Sequence, residues 1–161
     1  MATTPWSLLE VYVNSLGVEP CPLNMGRVIV HLHGRPSESR MKELIEYYLA
    51  RIKPKVKIQY HDSKTGGMAY VSNLPKDTII LDENGEQLSS IQFSKKFEKW
   101  SLSNRDVNLA VGPVDGFPKD ISLQKISLSK MTFPHELAAV LLMEQLYRAN
   151  EILRGSAYHR N

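Results

Sequence analysis

Along most of this chain, short apolar runs of period two alternate with longer stretches of period three to four. Val28–His33 (VIVHLH) is short and β-branched and reads as a strand. Residues 34–37 turn the chain, with Pro36 near the first position of a helix. Met41, Leu44, Ile45, Tyr48 and Ile52 then recur at helical spacing until Pro54 stops the helix. Residues 56–60 (VKIQY) alternate like a second strand. Residues 61–76 read as loop, with Gly66, Gly67 and Pro75 and room for a short turn of helix. Residues 78–81 (TIIL) form a short buried strand, and Asp82 to Gly85 a polar turn. Ser89 or Ser90 can cap a helix whose apolar positions are Ile91, Phe93, Phe97 and Trp100. Residues 107–111 give a fourth strand and residues 126–128 a last short one. Residues 134–154 are the longest helix, ended by Gly155.

This alternation predicts an α/β fold with a mostly parallel sheet and helices on both faces. Ligands in such sheets bind beyond the carboxyl ends of the strands. Three loops occupy such ends: 82–88, 112–117 and 129–134. The last helix is unusual, because Leu137, Val140, Leu141, Leu142, Met143, Leu146, Tyr147, Ile152 and Leu153 spread around much of its circumference. A helix apolar on more than one face is buried on more than one face, which in so small a chain predicts a subunit interface as well as a core.

Residues 1–24 break the pattern. Pro5, Pro20 and Pro22 punctuate a short apolar stretch from Trp6 to Leu16, so we divide the chain into an N-terminal extension over 1–24 and one domain over 25–161. The 161 residues allow one domain with a real core and not two. No apolar run approaches the roughly 18 residues of a membrane span. The N-terminus lacks a basic region followed by an apolar core, so a cytoplasmic protein is expected. Cys21 is the only cysteine, which excludes an intrachain disulfide and a cysteine-based zinc site. The net charge of +3 permits an RNA partner without demanding one.

Candidate chemistry lies at the strand ends. Gly112 to Gly116 is a glycine loop that lets a backbone approach a ligand, but it is not a dinucleotide fingerprint. Leu128-Ser129-Lys130-Met131-Thr132-Phe133-Pro134-His135 joins a strand to a helix, where free amides can bond a small ligand and Thr132 can cap the helix. Glu144 and Arg148 lie at i and i+4 and can pair. In the tail, Tyr158 and His159 can stack on or hydrogen-bond a base, and Arg160 can meet a phosphate. His31 and His33 share one strand face with no third ligand nearby, so no metal is expected there.

Together, Leu81-Asp82 with Gly85 and Leu88-Ser89-Ser90, Val111-Gly112 with Gly116, the block Leu128 to His135, Glu144-Gln145-Leu146-Tyr147-Arg148-Ala149, and Tyr158-His159 resemble the ribosomal RNA large-subunit methyltransferase H family, a minimal SPOUT-class methyltransferase. The last two blocks, at their distance from the end, are the most specific, and the resemblance covers about residues 26–161. It implies an α/β trefoil knot and a homodimer. It implies S-adenosylmethionine held mainly by backbone at Leu81, Gly112, Leu128, Ser129, Lys130, Met131, Thr132 and Phe133. The implied substrate is a pseudouridine in the helix 69 loop of large-subunit rRNA, methylated at N3 in the assembled ribosome. Tyr158 and His159 are then expected near the partner subunit's cofactor. N3 carries a proton that must leave, so His159 and Asp115 are candidate bases by chemical type, and Arg148 a candidate to stabilise the developing anion or hold a phosphate.

The chain departs from that family in three places. Pro113 stands where a second glycine is usual and has no N–H to offer. The helix between the second and third strands shrinks to about residues 66–76, and residues 1–24 are extra. Two other readings stay open: a non-catalytic ribosome- or RNA-binding relative, and a SPOUT enzyme acting on tRNA.

Overall fold

The computed structural model describes residues 25–160. The expected N-terminal extension, with its apolar stretch and Cys21, lies outside them. Five strands and four helices follow in the order β1 (Val28–His33), α1 (Ser39–Ile52), β2 (Val56–His61), α2 (Gly67–Ser72), β3 (Ile79–Gln87), α3 (Ser90–Leu102), β4 (Val107–Ala110), β5 (Lys125–Ser127) and α4 (His135–Leu153). The strands form one sheet in the order β2-β1-β4-β3-β5, and every pairing is parallel.

Register decides which face each side chain joins. Val28 pairs with Val56 and with Val107, and Val30 with Ile58 and Leu109. These residues point to one face, where Ile45 and Ile52 of α1, Phe93 and Phe97 of α3, and Val140, Leu142, Met143 and Leu146 of α4 close the main core. The opposite face is thinly covered: Tyr70 and Leu74, from α2 and the turn after it, pack with Ile80 and Ala110 beneath Phe117, Ile121 and Leu123. Both faces are covered as the alternation requires, but three helices share one face and a single short helix serves the other.

Tyr70 makes that short helix sufficient. It is fully buried, and its hydroxyl lies 3.0 Å from the carbonyl of Val111 and 3.2 Å from that of His31, so one donor serves the ends of two adjacent strands. Burial pushes this hydroxyl well above the ordinary tyrosine range, so it stays a donor.

Several local expectations change. Pro36 does not open α1: Glu38 is its N-cap and carries no side-chain cap, and Glu136 at the start of α4 caps the helix instead. One Glu136 carboxylate oxygen accepts from the Ser37 amide and hydroxyl, both at 2.7 Å, and the other from the Glu38 amide at 3.2 Å. Ser89, not Ser90, caps α3, in a reciprocal box with Gln92. Residues 82–85 are not a polar turn. β3 runs on to Gln87, and Leu81 and Glu86 both pair with Ile126, with a register shift between them. Gly85 sits inside that shift, and a Cβ there would lie 2.6 Å from the Ile126 carbonyl carbon and 2.7 Å from its nitrogen.

Two stability predictions follow. Gly85→Ala meets backbone rather than a movable side chain, so urea unfolding should show a loss of about 3 kcal/mol or more, or no folded protein; Gly66→Ala has open space around it and should lose only the smaller cost of a poorer N-cap, about 1 kcal/mol or less. For Glu136, burial raises its pKa but the amide and hydroxyl bonds of Ser37 and Glu38 outweigh it, so the folded carboxyl lies below its ordinary value. Its contribution is therefore full above the unfolded pKa and lost as pH falls through the depressed folded value. Glu136→Ala should cost about 1 kcal/mol at pH 7, and the difference from the parent should vanish in acid.

Candidate active site

Beyond the carboxyl ends of β4 and β5, two loops and the middle of β3 enclose a cleft of about 590 Å³. Its walls come from Leu81 to Asn84 on β3, Val111 to Phe117 after β4, and residues 128–133 leading into α4, whose His135 and Ala138 close the base. Of the eight residues expected at a cofactor, Leu81, Gly112, Leu128, Ser129, Met131, Thr132 and Phe133 line this cleft, and Lys130 is not among the lining residues. The size is that of a small-molecule site, and its lining mixes apolar walls with a few polar groups.

The glycine loop is shaped by its own residues. The Gly116 amide donates to the Pro113 carbonyl at 2.8 Å, closing a turn in which Gly116 holds φ of +77°. Pro113 is buried, so its ring packs where an amide would otherwise be offered. A Cβ at Gly112 would come within 3.1 Å of the Phe117 ring, itself stacked at 6.1 Å on Tyr70.

The 128–133 loop is strapped to β3. Thr132 does not cap α4, whose N-cap is Pro134 without a side-chain bond. Its hydroxyl donates to the Glu83 carboxylate at 2.6 Å instead. The Ser127 hydroxyl donates to the Ser129 carbonyl at 2.7 Å, and the Ser129 hydroxyl accepts the Met131 amide at 3.0 Å. Among the described residues, the amides of Ser129, Thr132 and Phe133 meet no protein acceptor, and so remain available to a ligand. Val114 and Met131, 75% and 72% exposed, stand as apolar lips on opposite sides.

Of two charged groups inside the cleft, Asp82 belongs to a block that carries the family resemblance, whereas Lys125 carried no signal in the sequence. Asp82 accepts the Asn84 amide at 2.8 Å and pairs with Lys125 at 3.4 Å. Burial raises the Asp82 pKa, but the amide bond and the Lys125 ammonium outweigh it and hold the carboxyl below its usual range. The Asp82 and Lys125 positions meet only because β3 and β5 pair.

Arg148, Tyr158 and His159 gather elsewhere. Arg148 is 13 residues along α4 from His135, about 20 Å at 1.5 Å per residue. Its guanidinium pairs with Glu144, lies 4.8 Å from the centre of the Tyr158 ring, and donates to His159 Nδ1 at 3.5 Å. Tyr158 donates to the same Glu144 oxygen at 3.1 Å. The other Glu144 oxygen accepts from the Gln145 amide at 2.7 Å, and Gln145 accepts the Ser90 hydroxyl at 2.8 Å. The tail is thus folded back onto α4. Because arginine only donates, His159 Nδ1 accepts here and the ring proton lies on Nε2. Burial, then Glu144, pushes the Tyr158 hydroxyl well above its ordinary range, leaving it a neutral donor. Arg148 Nε is a buried donor with no partner among the described residues.

The strand histidines are structural. His31 is buried between His61 Nε2 and Asn108 Oδ1, both at 2.9 Å, and His33 bonds the Thr65 carbonyl at 2.7 Å. Among the described residues no three metal-ligating side chains converge, and no helix is long and apolar enough to cross a membrane.

Comparison with known proteins agrees with this geometry. A family model described as "Predicted SPOUT methyltransferase" matches residues 27–159. The chain is 39% identical to the ribosomal RNA large subunit methyltransferase H of Cereibacter sphaeroides (strain KD131 / KCTC 12085), over 79% of this chain and 94% of the relative. It is 37% identical to the protein of the same name from Synechococcus sp. (strain CC9311), over 86% and 99%. It is 42% identical to that of Maridesulfovibrio salexigens (strain ATCC 14822 / DSM 2638 / NCIMB 8403 / VKM B-1763), over 68% and 70%. A parallel α/β sheet, a cleft beyond its carboxyl ends and a family match over most of the chain lead to one conclusion: this protein belongs to the SPOUT methyltransferase family.

Proposed function

We propose that this chain is an S-adenosylmethionine-dependent methyltransferase of large-subunit ribosomal RNA, acting at N3 of a pseudouridine in the helix 69 loop as a cytoplasmic homodimer. Residues 25–161 form the catalytic domain, and residues 1–24 an extension. The observation that carries the reading is the convergence of seven expected cofactor residues on one cleft.

The cleft suits the cofactor: Leu81, Leu128 and Phe133 supply apolar walls, and the free amides of the 128–133 loop supply donors. When bound, S-adenosylmethionine supplies an electrophilic methyl group. The chain's own task is positioning, since alignment of donor and acceptor supplies most of the barrier reduction in such a transfer. Thr132 and Glu83 hold one wall rigid, and Pro113 and Gly116 the other.

Arg148, Tyr158 and His159 act on the base. Arg148 places a fixed cation, with a spare Nε donor, where the base becomes anionic on losing its N3 proton. His159 in this arrangement offers N–H rather than a lone pair, so it is a hydrogen-bond donor to the base, and the proton leaves to water or to Asp115 at the cleft. The separation of about 20 Å between this cluster and the cleft of the same chain requires a second copy to bring them together. Leu137, Leu141, Glu144, Arg148 and Ile152 recur at i, i+4, i+7, i+11 and i+15, a half-buried stripe opposite the buried face of α4. That stripe is the dimer contact, and it carries the catalytic cluster.

Calorimetric titration with S-adenosylmethionine should give saturable binding near micromolar affinity. Gly112→Trp, which drives an indole against Phe117, should weaken it by about 100-fold or more with the fold intact by circular dichroism. A folded wild type that does not bind would favour the non-catalytic reading, and Pro113→Gly would then be the variant to restore binding.

Shared sites make a second prediction. Arg148→Ala and Gly112→Trp should each abolish methylation of large ribosomal subunits. Mixing the two should restore about a quarter of wild-type sites, because half of randomly exchanged dimers carry one intact pair. No recovery after verified subunit exchange would place cleft and cluster in the same protomer.

A further inference from the structure

His135, the first residue of α4, borders two spaces at once. It closes the base of the cleft, and it also lines a smaller hollow beyond the ends of β1 and β4, walled by residues 32–36, Glu136 and Ala139. That hollow, of about 10 Å³, has room for one water-sized molecule. Val111, Gly112 and His135 belong to both linings, and of these three only His135 carries a titratable side chain.

The imidazole is not committed to holding the fold. Among the described residues its closest charged partner is Glu136, with Nε2 4.0 Å from Oε1, which is beyond hydrogen-bond reach. That carboxylate oxygen already accepts the Ser37 amide and hydroxyl. The other charged groups of the two walls mostly have work elsewhere. In the cleft, Asp82 pairs with Lys125, and Glu83 accepts the Thr132 hydroxyl. At the hollow, His33 bonds the Thr65 carbonyl, and the Arg35 guanidinium lies 4.5 Å from the centre of the Tyr60 ring. Asp115 and Lys119 line the cleft but not the hollow.

We propose that His135 is the general base of the methyl transfer, taking up the N3 proton on the cleft side, directly or through one water, and releasing it at the hollow. The proposal rests on the reaction proposed above and names the group that collects the departing proton. The N3–H bond breaks and its proton joins an imidazole nitrogen. The electron pair left on N3 forms the N–CH3 bond as the C–S bond of the donor breaks, with the electrons of that bond staying on sulfur. The imidazolium has the Glu136 carboxylate beside it, and loss of its proton to water at the hollow restores the neutral ring. Imidazole suits such a task because it can accept a proton on one nitrogen and give one up from the other. Asp115 fits less well, because it borders no second space through which a proton could leave.

The test uses the full-length protein and large ribosomal subunits, with single-turnover rates measured across about pH 5 to 9. The wild-type rate should fall as acid protonates the ring. His135→Gln, checked for folding by circular dichroism, should be slower by about 100-fold at neutral pH and should lose that acid limb, whereas Asp115→Asn should keep it. His135→Ala should recover activity in free imidazole, in proportion to the neutral form of the additive. Two readouts need no turnover. Calorimetric affinity for S-adenosylmethionine should be the same in His135→Gln as in the wild type. The His135 ring signals in NMR spectra, identified by their absence from His135→Gln, should titrate with pH and shift when S-adenosylhomocysteine is added. With an active wild type, an acid limb that survives in His135→Gln, a loss of rate matched by an equal loss of cofactor affinity, or ring signals indifferent to S-adenosylhomocysteine would overturn the assignment of His135. A wild type that binds cofactor but methylates no large subunits would instead overturn the reaction itself.

Discussion

Everything at the ligand end depends on how closely β3 passes β5. Leu81 and Glu86 both align with Ile126, and the strand between them must cross a neighbouring backbone at a distance no side chain permits. Gly85 makes that crossing possible. The crossing carries Glu83 to where it can accept the Thr132 hydroxyl, and Asp82 to where it meets Lys125. Without it the 82–88 and 128–133 segments would not face each other, and the cleft would lose a wall. Backbone proximity, rather than a large set of side-chain contacts, is what makes this site.

The longest helix connects two regions with different demands. At its start, α4 borders the cleft and lends Glu136 to cap α1. At its end, it holds Glu144 with both oxygens satisfied, and through it Arg148 and Tyr158. One face fills the main core, and the opposite stripe is left half-covered. A helix with two apolar faces in a small chain costs solubility unless the second face is used. Under the proposed function it carries the cluster that meets another copy's cleft, which gives dimerisation a chemical as well as a packing rationale.

Ion pairs fix the geometry at both ends of this arrangement. In the cleft, Asp82 pairs with Lys125, and the Asn84 amide and that ammonium hold its carboxyl below its usual range. At the far end of α4, Arg148 pairs with Glu144 and lies over the Tyr158 ring, which keeps the tail against the helix.

Much of this was legible along the chain. β-branched runs and helical spacing determined the five strands, the long helices and the α/β class, because these signals arise from local sterics and from solvent exclusion on one face. For the same local reasons, the i, i+4 spacing of Glu144 and Arg148 pointed to their ion pair, and the loop blocks at 112–116 and 128–133 to two walls of the cleft. The tertiary structure alone decided matters of sequence separation. Asp82 to Gly85, polar and glycine-containing, reads as a turn, and only pairing with Ile126 makes it strand. Thr132 reads as a helix cap, and only the approach of Glu83 turns it into a strap. Glu136 caps a helix nearly 100 positions upstream, and Tyr158 of the tail returns to Glu144 on α4. Hydrophobic periodicity records which face of an element is buried, but not which distant element lies against it, and each of these contacts depends on the latter.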